Sequence, residues 1–200
     1  MNENEPLWLD QALKGNPEAF SSLVQTYQTP VFNLCYRMLG DGYEAEDAAQ
    51  ETFLRAYENL SRYDRQRPFS TWLLSIAAHY CIDQIRKRRM ILISLDGEPF
   101  LDPPDKAPGP EPALSQQEEQ RRVQHLLGKL SPQDRAAVVM RYWYELSYEE
   151  IAASLSLTVS AVKSRLHRAR QMLAEGWSEQ ETKLYASERN RNERTHSPAF

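Results

Sequence analysis

Glycine, cysteine and net positive charge are all scarce in this sequence, and each scarcity excludes something. Seven glycines are spread over 200 residues and none falls in a GxGxxG run, which removes the phosphate-cradling loops. The two cysteines, Cys35 and Cys81, stand among apolar residues with neither CxxC spacing nor a nearby histidine cluster. Two readings remain for them: small buried hydrophobes in a reducing compartment, or a redox or metal pair. No Ser/His/Asp set and no metal-ligand spacing occurs, so no enzyme activity, cofactor, metal or small-molecule substrate is expected. No apolar run approaches the ~20 residues of a membrane span, and the acidic N-terminus lacks a signal-peptide core. A soluble, cytoplasmic protein is expected. The net charge is −4, so any affinity for nucleic acid has to come from local charge.

The composition that is present is globular, with 41% hydrophobic and 26% charged residues, and the charge is segregated. Between Asp41 and Leu54 there are acidic side chains and no Lys or Arg, whereas Arg86 to Arg89 and Lys163 to Arg170 carry only positive charge. Six of the twelve prolines lie in one stretch: Pro99, Pro103, Pro104, Pro108, Pro110 and Pro112. Proline at that density blocks helix and sheet hydrogen bonds and gives a semi-rigid tether. Residues 94–112 therefore read as a linker between a unit over 1–93 and a unit over 113–177, with a polar, fraying tail over 178–200.

Both units read as helical, and no strand-length alternation appears in either. Asn16-Pro17-Glu18 is a helix start, and Phe20, Leu23, Val24 and Tyr27 follow at helical spacing. Pro30 restarts the pattern, with Val31, Leu34, Cys35 and Met38 continuing to Gly40. A third helix is expected from about Tyr43 to Leu60. A polar loop from Ser61 to Pro68 precedes a fourth helix capped by Ser70 or Thr71, which ends in the basic cluster. In the second unit one helix stops at Gly128, Ser131-Pro132-Gln133-Asp134 opens another, and Ser147-Tyr148-Glu149-Glu150 is a capping box. The expected fold is all-α: two small helical domains joined by a flexible, Pro-rich linker.

The stretch from Tyr148 to Arg170 has the spacing of a helix-turn-helix. Ile151, Ala152 and Leu155 form the inner face of a short helix, and Ser156-Leu157-Thr158 makes the turn with Leu157 inward and Thr158 as a cap. The second helix buries Val162, Leu166, Ala169 and Leu173. Its other face carries Ser160, Lys163, Ser164, His167 and Arg168, cationic donors and small hydroxyls suited to a major groove. The plainer alternative is an amphipathic helix with a solvated basic face that docks a protein.

Five runs carry a family resemblance. Leu130 to Arg135, Tyr148 to Ala152 and Val162 to Arg170 together resemble region 4 of the extracytoplasmic-function sigma factors of bacterial RNA polymerase. Ala45-Glu46-Asp47-Ala48-Ala49-Gln50-Glu51-Thr52-Phe53-Leu54-Arg55-Ala56 and Phe69 to Ala77 independently resemble their region 2. The resemblance covers about residues 7–175. It implies that Asp47, Gln50 and Glu51 dock on polymerase, where carboxylates accept charge-assisted bonds from arginines; otherwise they form a solvated acidic face. It implies that the loop from Ser61 to Pro68 helps open the −10 promoter element, with Tyr63, Arg65 and Arg67 stacking on bases or contacting phosphates. Trp72 sits near this edge, with core packing as its main expected role. Ser75, His79, Asp83 and Arg86 would lie along the DNA, and Arg86, Lys87, Arg88 and Arg89 would bind phosphates nonspecifically. Ser160, Lys163, Ser164, His167 and Arg168 would read the −35 element. The family pattern commonly has asparagine where His79 stands, which leaves the −10 base preference open.

The implied partners are core RNA polymerase, promoter DNA and an anti-sigma factor, and the implied function is promoter-specific transcription initiation. Two rivals differ in class. A helix-turn-helix regulator that binds operators as a dimer leaves the acidic Asp47–Glu51 helix without a role. A sigma-like module that only sequesters a partner would show no specific DNA binding.

Overall fold

The computed structural model describes the backbone over residues 4–96 and 114–195, and side chains over 4–91 and 118–178. Among the described residues the chain forms eight α-helices, one 3-10 turn and no strand. The N-terminal unit holds α1 (Glu5–Leu13), α2 (Pro17–Leu39), α3 (Gly42–Glu58), the 3-10 turn Leu60–Arg62 and α4 (Phe69–Asp96). The C-terminal unit holds α5 (Leu114–Lys129), α6 (Pro132–Trp143), α7 (Tyr148–Leu155) and α8 (Val159–Thr195). α4 continues past residue 93, and the expected linker falls outside the described residues from residue 97. α8 continues to Thr195, so the helix does not stop where the polar tail begins.

Local signals set most boundaries. The Asn16 side chain accepts from the Glu18 and Ala19 amides and starts α2, while Gly40 closes it in the left-handed region at φ 84°. The Asp41 carboxylate caps α3 through the Glu44 amide. Pro30, expected to restart the pattern, lies inside one continuous α2. A proline in a helix costs about 3 kcal/mol. Here Phe20 and Leu23 on one side of it and Val31, Leu34, Cys35 and Met38 on the other bury one shared face against α3 and α4. Each such side chain contributes about 1.5–3 kcal/mol on burial, so packing outweighs the break.

Two other boundaries differ from expectation. α4 starts at Phe69, with the Trp72 amide bonding the Pro68 carbonyl, so Ser70 and Thr71 lie within its first turn rather than capping it. Phe69 decides this start: it is 1% exposed and packs against Tyr27, Tyr63 and Trp72 at centroid distances of 5.5 to 5.6 Å. α5 runs through Gly128 to Lys129, and Gly128 is not left-handed. The Gly128 carbonyl instead accepts from Arg135 Nη2 at 2.8 Å, so a side chain from α6 does the work expected of glycine. α1, with Trp8, Leu9 and Ala12 against α2, was not signalled by a strong apolar period; Tyr27 ties it down by donating to the Glu5 carboxylate at 2.6 Å.

The two units pack on each other. α6 and α7 lie against α4, and α5 and α6 lie against α2. The carbonyls at the C-terminal, negative end of α2 are met from the other unit. Gln124 donates to the Tyr36 and Arg37 carbonyls at 3.1 and 3.2 Å, and Arg135 Nη1 donates to the Met38 carbonyl at 2.5 Å. The Tyr144 hydroxyl donates to the Pro30 carbonyl at 2.5 Å, and the Arg37 guanidinium lies over the Trp143 ring. Burial lowers the Arg37 pKa and raises that of Tyr144.

Cys35 and Cys81 are both fully buried free thiols on α2 and α4. A hydrogen bond between them, added to burial, raises the Cys81 pKa and keeps it a neutral, inert thiol.

Candidate nucleic-acid interface

The helix-turn-helix is built as its spacing requires. The Ser147 hydroxyl accepts from the Glu150 amide while the Glu150 carboxylate accepts from the Ser147 amide, completing the capping box at the start of α7. Ser156 ends α7 at φ 54°, Leu157 tucks half-buried against the core, and the Thr158 hydroxyl caps α8 through the Ala161 amide. Ile151, Leu155, Val162, Leu166 and Ala169 are buried between α6, α7 and α8. α8 is oriented by Arg165, whose two terminal nitrogens donate to the Asp134 and Gln133 side chains of α6, each at 2.8 Å. With that side fixed, Ser160, Lys163, Ser164, His167 and Arg168 are all exposed on the opposite face. The Lys163 ammonium lies 5.6 Å from the Tyr148 ring centroid, which steadies its stem without using up the charge.

In the N-terminal unit Asp47 and Gln50 are exposed and Glu51 is half-exposed on α3. Beside them α2 and α3 form an open groove of about 360 Å³. Val24, Phe32, Ala49 and Phe53 give it apolar walls, and Glu46 and Gln50 edge it. An apolar trough edged by the Glu46 carboxylate and the Gln50 amide suits a helix that presents both apolar and basic side chains.

A second pocket, also about 360 Å³, lies between the end of α3, the 3-10 turn and the first half of α4. Arg55, Asn59 and Arg62 form one wall, and Trp72, Ser75 and His79 form the other, with Ile76 between. The first wall is a chain of contacts: Arg55 Nε pairs with Glu51 at 2.7 Å, the Asn59 amide donates to the Arg55 carbonyl at 2.9 Å, and Arg62 donates to the Asn59 amide oxygen at 3.5 Å. None of Arg55, Asn59 and Arg62 was singled out from the sequence. Their signal was available, two arginines and an asparagine leading into the loop, but only folding the turn back against α4 makes them one wall.

The other sequence-expected residues are placed as follows. Tyr63 is half-buried, 5.2 Å from the Trp72 ring and donating to the Arg67 carbonyl at 2.5 Å, and burial raises its pKa. It supports Trp72 from behind instead of lining the pocket. Arg65 and Arg67 are exposed, the first paired with Asp10 and the second 3.6 Å from Asp64. Trp72 does both jobs, packing on Phe69 and lining the pocket. Asp83, Arg86, Lys87 and Arg89 are exposed further along α4, with Arg86 3.9 Å from Asp83, while Arg88 is half-buried and paired with Glu44.

Comparison with known proteins agrees with this geometry. The Sigma-70 region 2 family matches residues 23–90, and the Sigma-70, region 4 family matches residues 120–173. The chain is 40% identical over 172 residues to the ECF RNA polymerase sigma factor SigW of Bacillus subtilis, covering 82% of this chain and 92% of that protein. It superposes on CnrH, solved in complex with the cytosolic domain of CnrY, with a TM-score of 0.65 and 28% identity over 86% of this chain and 96% of that one. It shares the fold of the sigma factor RpoE, solved with the anti-sigma factor NepR from Bartonella quintana, at a TM-score of 0.65 and 23% identity, covering 80% of this chain and 96% of that one.

Proposed function

The chain belongs to the extracytoplasmic-function sigma factors of bacterial RNA polymerase, and from that premise we propose how its surfaces divide the work of promoter recognition. As a sigma factor it directs promoter-specific transcription initiation. Its partners are core RNA polymerase and promoter DNA, and an anti-sigma factor binds it, as NepR binds the RpoE it was solved with. The work is done in the cytoplasm by binding alone, with no covalent chemistry of its own.

Asp47, Gln50 and Glu51, with the apolar groove beside them, hold polymerase. The face of α4 with Ser75, His79, Asp83 and Arg86 tracks the −10 strand, and Arg65, Arg67 and Arg86 to Arg89 meet its phosphates. Ser160, Lys163, Ser164, His167 and Arg168 read the −35 duplex in the major groove. The observation that carries this division is the split of α8: Val162 is 0% and Leu166 3% exposed, while every proposed reading side chain points to solvent. Carrying both sites on one chain adds avidity that neither contact has alone.

Two full-length variants test the division. Glu51→Lys places a like charge against polymerase arginines and is expected to weaken polymerase capture. Lys163→Ala combined with Arg168→Ala is expected to keep capture and lose initiation at −35-dependent promoters. Normal capture by Glu51→Lys, or an unchanged promoter profile for the double variant, contradicts the assignment.

A further inference from the structure

One tyrosine ring is shared by two cations where α6, α7 and α8 meet. The Lys163 ammonium of α8 lies 5.6 Å from the Tyr148 ring centroid, inside the roughly 6 Å reach of a cation–π attraction. The Arg141 guanidinium of α6 lies 5.1 Å from the same centroid. Each part of this corner is fixed except the lysine. Tyr148 is the first residue of α7, directly after Ser147, whose amide and hydroxyl are both engaged with Glu150. Its ring is half-buried and packs against the core. Arg141 Nη1 donates to the Leu146 carbonyl at 2.8 Å, which ties the guanidinium to the turn before α7. Lys163 is exposed near the N-terminal end of α8, and among the described residues no carboxylate pairs with it. The ring is what holds it.

We infer that Tyr148 is a specificity-determining positioning residue: its ring keeps the Lys163 ammonium at the base edges of the −35 element and off the phosphates. The inference rests on the reading of α8 as the −35 recognition helix. Lysine is a compact point charge on a flexible four-carbon stem. Beside DNA such a charge is drawn to phosphate oxygens, which add affinity but carry no sequence information. Attraction to a ring fixed on α7 favours the rotamers that hold the ammonium at the α7–α8 corner. The like charge of Arg141 disfavours rotamers that fold it back toward α6. A ring face attracts the charge and leaves N–H donors free, so the ammonium can still donate to O6 and N7 of a guanine. A carboxylate in the ring's place would neutralise the lysine, and a bare apolar side chain would let the stem sweep to the backbone.

The test uses the full chain with core polymerase, a promoter library randomised through the −35 element, and sequencing of the transcripts. Competition within one library cancels differences in overall activity and in folded fraction. Lys163→Ala marks the position that Lys163 reads by flattening it. Tyr148→Leu is expected to lower the preference at that position about threefold, the equivalent of one exposed cation–π contact, and to leave the other positions as they are. Tyr148→Phe, which keeps the ring face, is expected to retain the preference. Pentafluorophenylalanine in place of Tyr148 keeps the ring's shape and inverts the charge on its face; it is expected to lose the preference as leucine does, and it decides the matter if the leucine variant does not fold. In the Lys163→Ala background, Tyr148→Leu is expected to change nothing at that position. A preference that survives both Tyr148→Leu and the fluorinated ring, a loss spread evenly over the −35 element, or a Tyr148→Phe loss as large as that of leucine overturns the inference and leaves the reading of Lys163 standing. Failure of Lys163→Ala to flatten any position overturns both.

Discussion

Removing the Arg135 guanidinium should be among the most damaging single changes in this protein, although it lies outside every proposed binding surface. The side chain is 5% exposed and bridges two helix ends, donating to the Met38 carbonyl at the end of α2 and the Gly128 carbonyl near the end of α5. Both acceptors sit at the negative pole of a helix, where a cation is favoured. Hydrogen bonds to charged groups contribute roughly 1.5–3 kcal/mol each, and an orphaned buried carbonyl costs about 1–3 kcal/mol. Water entering the vacated space recovers part of that, so Arg135→Ala is expected to cost about 3 kcal/mol. Gln124→Ala is the control. It removes only neutral, half-buried bonds to the Tyr36 and Arg37 carbonyls and should cost about 1 kcal/mol. Arg135→Lys keeps the charge without the fork that reaches both carbonyls, so it should recover less than half of the loss. Urea unfolding followed by tryptophan fluorescence reads both units at once, through Trp8 and Trp72 in one and Trp143 and Trp177 in the other. A loss below about 0.5 kcal/mol for Arg135→Ala would refute the bridging role, because changes that small are typical of surface sites.

Three other outcomes follow from named contacts. Lys163→Ala and Arg168→Ala should each cost about 1–3 kcal/mol of discrimination between a promoter and a −35 mutant, measured by competition with the holoenzyme. Tyr27 and Tyr144 have pKa values raised chiefly by burial, so the folded state holds their protons more tightly than the unfolded chain does. That contribution to stability is fully present below the ordinary tyrosine value near ~10 and is lost as pH rises above it. Tyr27→Phe and Tyr144→Phe should make the alkaline fall in stability shallower, as read from unfolding midpoints between neutral and strongly alkaline pH. Gly40→Ala should destabilise by about 1–2 kcal/mol in urea unfolding, because a Cβ is strained at φ +84° and meets Gln124 Nε2 at 3.3 Å.

The fold was legible where one helix carried its own information. The capping box at Ser147, the Asn16 and Ser131 caps and the apolar spacing of α8 are all contained within a few residues, and the structure has them as read. What was not legible depends on partners distant in sequence. Pro30 does not break α2, because both halves of the helix bury against the same neighbours. Gly128 does not cap α5, because Arg135 reaches it from the next helix. The pocket between α3, the 3-10 turn and α4 was half-legible. Ser75 and His79 announced themselves by helical spacing along α4, whereas Arg55, Asn59 and Arg62 join them only after the 3-10 turn reverses the chain. Tyr63, expected at the surface as a stacking ring, is drawn inward by Phe69 and Trp72.

The measurement that bears most directly on the central claim is transcription in vitro from genomic DNA by core RNA polymerase with and without the purified protein, with the transcript 5′ ends sequenced. The account expects a set of starts that appears only when the protein is present, each downstream of one shared two-part motif. Polymerase bound by the protein with no new starts would contradict it and favour a sequestering module. Absence of any stable complex with polymerase would contradict it and favour an operator-binding regulator.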